Sequence, residues 1–131
     1  MIDRVQWIVG PAVGGDDAAT VTTYSPHVSG FVHKVHVDYT SVAANPDFTL
    51  SDEGDPGSEL IVNLLNQKAD ITIYPRRITE KNDGTDILYV AGEEVHERYI
   101  VHGRLEATFA QADADEQVLV TVWIERDGLQ G

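Results

Sequence analysis

Two valine-rich runs, Phe31 to Tyr39 and Val118 to Glu125, constrain this chain more than any other feature. Both alternate side chains at a period of two. In the first, Phe31, His33, Val35, Val37 and Tyr39 fall on one face, and Val32, Lys34, His36 and Asp38 on the other. In the second, Val118, Val120, Val122 and Ile124 alternate with Leu119, Thr121, Trp123 and Glu125. A strand sends successive side chains to opposite faces, so this is the pattern of packed sheet. No helical stripe of comparable clarity competes with it. The residues alone therefore predict an all-β structural or binding module.

The remaining segments extend that reading. Arg4 to Val9 suits a short strand anchored by Trp7, broken by Gly10-Pro11 and by Gly14-Gly15-Asp16-Asp17. Ala18 to Tyr24 is a Thr- and Val-rich strand closed by Ser25-Pro26, and Phe48 to Ser51 is another short one. Asp52-Glu53-Gly54-Asp55-Pro56-Gly57 is a turn. Glu59 to Asn66 has two readings: a helix with Ser58 as its N-cap, or a strand with Leu60, Val62 and Leu64 on one face. The β neighbourhood favours the strand. Ile71 to Tyr74 is a strand ended by Pro75, and Asn82-Asp83-Gly84 is a turn. Tyr99 to Val101 and Arg104 to Ala110 are strands bent or separated at Gly103, and Asp113 to Glu116 is an acidic turn. Eight or so short strands between turns predict a sandwich, jelly roll or closed barrel. The expected organisation is an N-terminal arm or edge strand over 1–17, one β-sandwich over 18–126 and a tail over 127–131.

At 131 residues one domain suffices, and it is large enough to bury a core without cross-links. The chain has no cysteine, which excludes disulfides and zinc–thiolate sites. Met1-Ile2-Asp3-Arg4 lacks the basic start and apolar core of a signal peptide, so none is expected. No apolar stretch approaches the roughly 20 residues needed to span a bilayer. Asp plus Glu number 22 against 9 Lys plus Arg, a formal net charge of -13. Such a surface repels nucleic-acid phosphate and anionic membranes, so neither is an expected partner. It suits solubility or a basic partner. It also suits life at high salt, where a Debye length of about 3 Å near 1 M relieves self-repulsion.

Candidate chemistry is sparse. His33 and His36 stand three apart on a strand, on opposite faces unless a bulge intervenes, which disfavours joint metal ligation. His33 reads as a core or interface histidine. His96 and His102 would share a face only at about 20 Å along a straight strand, too far for one ion. The histidine spacing of a cupin metal site is missing. Asp52, Glu53, Asp55 and Glu59 offer oxygen ligands for calcium, but without EF-hand spacing an ordinary acidic turn is the better reading. No Ser-His-Asp or Cys-His set can be assigned, and Gly10, Gly14 and Gly15 do not precede a helix as a phosphate cradle does. The residues give no reason to expect an enzyme, a cofactor or a metal. Tyr74-Pro75-Arg76-Arg77 is the one compact cluster with partner-binding character, since Tyr and Arg suit interfaces. The plainer reading is a strand end whose arginines pair neighbouring carboxylates.

From Ser29 to Glu125 the chain resembles small β-rich head-decoration, or capsid cement, proteins of tailed phages and related tailed viruses. The likeness rests on Ser29-Gly30 opening the strand through Val35-His36-Val37-Asp38-Tyr39, and on the apolar strand Leu60 to Leu64 after an acidic turn. It continues with Tyr74-Pro75-Arg76, then Val101-His102-Gly103-Arg104-Leu105-Glu106-Ala107, then the terminal run Val118 to Glu125. His102 and the charged stretch from Glu93 to Arg98 depart from that pattern. The resemblance implies a jelly-roll-like sandwich, commonly trimeric, on the outside of the virion where major capsid subunits meet. It implies a mechanical rather than catalytic role. Met1 to Asp17 would then be either an arm ordered by a neighbour, with Trp7 and Ile8 as its apolar contacts, or an edge strand of the same domain. Alternatives are a tail or vertex component and a carbohydrate-type ligand-binding sandwich, which usually shows a row of exposed aromatics.

Overall fold

The two valine runs lie side by side. In the computed structural model, which describes residues 2–39, 42–57, 59–78, 88–90, 93–94 and 96–126, Val120 pairs with Val37 and Val122 with Val35. The strands in chain order are β1 (Ile2–Val9), β2 (Ala19–Tyr24), β3 (Val28–Asp38), β4 (Asp47–Asp52), β5 (Leu60–Leu64), β6 (Ile71–Ile73) and β7 (Arg77–Ile78). They continue with β8 (Leu88–Val90), β9 (Glu93–Glu94), β10 (His96–Glu97), β11 (Ile100–Gly103), β12 (Leu105–Ala112) and β13 (Val118–Glu125). The described residues contain no helix long and apolar enough to cross a membrane.

Eight of these strands carry the architecture. One sheet runs β1-β13-β3-β11 and the other β2-β12-β4-β5, with every pairing antiparallel. Taken in chain order, the eight strands fall in the orders 1-8-3-6 and 2-7-4-5. That is the strand order of a jelly roll, two Greek keys wrapped into facing sheets. β6 adds to the first sheet beside β3, and β7 pairs with β10 as a small flap. The expected all-β sandwich or barrel is what the chain forms. The strand reading of Leu60 to Leu64 holds, and Ile2–Val9 is an edge strand in register with β13 from Ile2↔Glu125 to Val9↔Val118. Of the two readings of the N-terminal stretch, this pairing is that of an edge strand of the same domain. The expected turn at Asn82-Asp83-Gly84, the proposed cap Ser58 and the tail over 127–131 lie outside the described residues.

The core sits between the sheets. Val118, Val120, Val122 and Ile124 point inward from β13, as their alternation predicts, and meet Phe48, Leu50, Leu105 and Phe109 from the second sheet. Phe48 and Phe109 are directly opposed on β4 and β12 and are fully buried. Removing such a side chain from water contributes about 1.5–3 kcal/mol.

One facial assignment is corrected. A bulge in β3 places Lys34 opposite Trp123 but Val32 opposite Ile124, leaving His33 as the extra residue. An extra residue puts the alternation on its two sides out of phase, here inverting the residues that precede it. Val32 is therefore buried together with Val35 and Val37, and Phe31 faces outward; His33 is only half-buried. Gly30, just before the bulge, has φ +140°, and a Cβ there would meet the Glu125 carbonyl oxygen at 2.5 Å. Only glycine lets β3 approach β13 so closely at this point.

Candidate functional site

The outer faces of the two sheets differ in chemistry. On the second sheet the register aligns Thr22, Thr108, Thr49 and Asn63 across four strands, with Thr22 and Thr108 hydroxyls 3.1 Å apart. These short polar side chains suit solvent. The outer face of the first sheet is built in four cross-strand rows. Ile8, Leu119 and Asp38 form the first, and Gln6, Thr121, His36 and Thr72 the second. Arg4, Trp123 and Lys34 form the third, and Ile2, Glu125, Phe31 and Ile100 the fourth.

Side-chain contacts fix these rows. Gln6 Nε2 donates to Thr121 Oγ1 at 2.8 Å, and His36 Nδ1 lies 2.7 Å from Thr72 Oγ1. Lys34 Nζ stands 4.4 Å over the Trp123 ring, and the Arg98 guanidinium stands 4.8 Å over Phe31 while pairing with Glu125. Such cation–ring contacts contribute about 0.5–1 kcal/mol at exposed positions. Ile8 is 52% exposed, Ile2 51% and Ile100 70%.

Beside the fourth row opens a groove of about 500 Å³. Phe31, Ile61, Tyr99 and Ile100 give it apolar walls, and Arg77, Arg98, Glu59 and Glu97 give it a charged rim. Arg77 Nη1 donates to Glu97 Oε1 at 2.7 Å, and Arg77 Nε lies 3.5 Å from Glu59. The Glu97 hydrogen bond pushes the Arg77 pKa upward and keeps the guanidinium charged. Burial, and then the charge of Glu59, push the Tyr99 phenol upward.

The acidic turn is organised by its own carboxylates. Asp52 Oδ1 accepts from Gly54 N at 3.0 Å and its Oδ2 from His102 N at 3.3 Å. Asp55 accepts from Gly57 N and Glu59 N, and Glu53 holds Arg104 through two bonds of 3.1 and 2.6 Å. These groups act as turn caps and ion-pair partners, as in an ordinary acidic turn. Among the described residues no three His, Asp or Glu side chains gather as a metal site. His96 and His102 lie on separate strands, and His102 instead meets His27 edge-on at 5.0 Å.

The sequence-predicted interface residues are scattered by the fold. Trp7 points into the sandwich and its Nε1 donates to Thr23 Oγ1 at 3.1 Å, whereas Ile8 points outward. Tyr74 is 57% exposed and meets His33 edge-on at 6.0 Å. Arg76 turns back onto the bulge, and Arg77 lines the groove. The outer rows centred on Trp123 and Lys34, and the groove residues Phe31 and Ile100, were not singled out from sequence. Their alternation on β13 was the available signal, and only the register shows which neighbours it assembles. The Trp123 ring carries Lys34, and Trp7 faces inward, so the described residues present no row of open aromatic faces for a sugar. No protein-family model matches the chain, and no curated protein matches it significantly.

Proposed function

We propose that the protein is a structural component of a virion that decorates and stabilises the capsid from outside, with the major capsid protein as its partner. The observation that carries this reading is the groove flanked by exposed Ile100 and Phe31 at the edge of the jelly roll's first sheet. Exposed apolar residues ringed by ordered arginines are the composition of a protein-binding surface. The groove's arginines are engaged by carboxylates, which suits a preformed docking surface better than a site that captures a charged small molecule. The jelly roll recurs in viral capsid domains and also in lectins, so the fold supports the reading without fixing it.

The action is mechanical. A protein that binds only the assembled shell stabilises it by mass action, and many weak sites on one lattice add avidity. The test is copurification with intact particles. Decoration predicts a copy number near that of the shell subunit, and Ile100→Asp should lower occupancy while leaving the fold intact. Absence from purified particles overturns the reading, and a handful of copies per particle moves it to a vertex or tail role.

A further inference from the structure

The outer face of the first sheet is charged in a way that complements itself. Its first row ends in Asp38 and abuts the loop carrying Asp115 and Glu116, which together with Ile8 and Leu119 line a hollow of about 540 Å³. Its third row carries Arg4 and Lys34 on either side of Trp123. Between them lies the row of Gln6, Thr121, His36 and Thr72, whose Thr121 is buried although it points away from the core. Alternate residues on a strand are about 6.7 Å apart, so the acidic and cationic rows lie equal distances on either side of the polar one.

We infer that this face binds a second copy of the same chain, with a two-fold axis between the facing sheets along the Gln6–Thr121–His36 row. That operation reverses strand direction and exchanges the first and third rows while keeping each strand over its own copy. Lys34 then swings from its own Trp123 ring to the second copy's Asp38, and Leu119 takes the vacated place over the second copy's Trp123. Arg4 lies over Ile8 beside the acidic loop. Each contact occurs twice, as an isologous interface requires. Operations that preserve strand direction put like charges in register and are disfavoured. Three full-length strands about 4.8 Å apart and about 27 Å long give a face of roughly 400 Å² in projection, to which β6 and side-chain relief add. A standard interface takes about 800 Å² per partner, so the patch is of the right order.

This pairing does not depend on capsid attachment. It leaves the Phe31–Ile100 groove, one row beyond the cationic row, at the margin of the contact. It is also a two-fold pair, in contrast to the trimer that the family resemblance implies.

The test is sedimentation of the full chain at about 0.1 M salt, where a Debye length of about 10 Å damps repulsion between two acidic copies but leaves contacts at ion-pair distance. The wild type should sediment as a dimer. Lys34→Glu and Asp38→Lys should each weaken association by about tenfold or more, because each sets like charges against each other in its own homodimer. Mixing the two variants should restore association, since the heterodimer regains opposite charges at both contacts. Arg4→Glu, at an exposed edge-strand position, should weaken self-association in the same direction and serves if either reversal perturbs folding. Circular dichroism reports the fold in every case. A monomeric or trimeric wild type overturns the inference, as does a mixture of folded variants that stays apart.

Discussion

Arg76 Nη1 donates to the carbonyl oxygen of His33 at 3.2 Å, across 43 residues of sequence. That carbonyl belongs to the bulged residue of β3. β11 pairs with β3 from Val28 to Phe31 and β6 pairs from Val35 to Val37, so among the described residues no strand covers the bulge itself on that side. Val32 N reaches Tyr99 O at 2.9 Å, and Arg76 supplies the next bond. The same Nη1 also donates to Pro75 O at 2.7 Å, which locks the chain leaving β6 against the gap.

Arg76→Ala should therefore destabilise the fold by about 1–3 kcal/mol, the range for losing a charged donor to a half-buried carbonyl. Urea unfolding measures it. Tyr74→Ala, two residues away but exposed, should change stability by less than about 0.5 kcal/mol. Equal effects from the two substitutions would show that Arg76 is not a clamp.

The Tyr74-Pro75-Arg76-Arg77 cluster shows where sequence reasoning ran out. Tyr and Arg side by side resemble an interface, but the turn after β6 sends them to three places: solvent, the bulge and the groove. β13 was legible because it is central, pairs on both sides and carries no bulged residue of its own. β3 has the same alternation on paper, and one extra residue reversed the face of Phe31 and Val32. A bulge is set by the register between two strands distant in sequence, and no local pattern records it. For the same reason the row that joins Arg4, Trp123 and Lys34 was invisible before the register was known.

Ser25 carries a role that its sequence context hides. It is buried, its backbone N donates to Leu105 O at 3.0 Å, and its hydroxyl accepts from Leu105 N at 2.9 Å. Both bonds tie the β2–β3 crossover to the start of β12. The hydroxyl also donates to Pro26 O at 2.7 Å. Ser25→Ala leaves the buried Leu105 amide without its acceptor, which should cost about 1–3 kcal/mol in urea or thermal unfolding. Ser25→Thr keeps the acceptor and should recover part of the loss. A Ser25→Ala variant as stable as wild type would refute the assignment.

Tyr39 sets an alkaline limit. It is 2% exposed, and its hydroxyl has no hydrogen-bond partner among the described residues. Burial, then the charge of Asp47, push its pKa above the ordinary tyrosine value of 10. Between the unfolded and folded values the unfolded chain releases a proton that the folded chain keeps. Stability is therefore full below about pH 10 and falls as pH rises beyond it. Tyr39→Phe should reduce that fall, leaving the share from Tyr24 and Tyr99, whose values are raised in the same direction. It should also raise stability at neutral pH by about 1 kcal/mol, because an unpartnered buried hydroxyl is removed. A less stable Tyr39→Phe protein with an unchanged alkaline fall would count against this account.

Salt should stabilise the protein. Exposed ion pairs such as Arg104–Glu53 lose strength when screened, but each contributes only about 0–1 kcal/mol. The opposing term is larger, since 22 acidic side chains face 9 basic ones and their repulsion acts across the whole surface. Shortening the Debye length from about 10 Å at 0.1 M to about 3 Å at 1 M relieves mostly that repulsion. The melting midpoint should rise steadily with KCl and level off near molar concentration. Asp115 gives a local check, since it lies exposed in the turn with Asp113 and Glu116 at φ 67°, a conformation that asparagine also tolerates. Asp115→Asn should raise the midpoint at low salt and leave it unchanged at molar KCl. A midpoint flat in KCl for the wild type would mean that the acidic surface costs the fold nothing, and the high-salt reading of the composition would go with it.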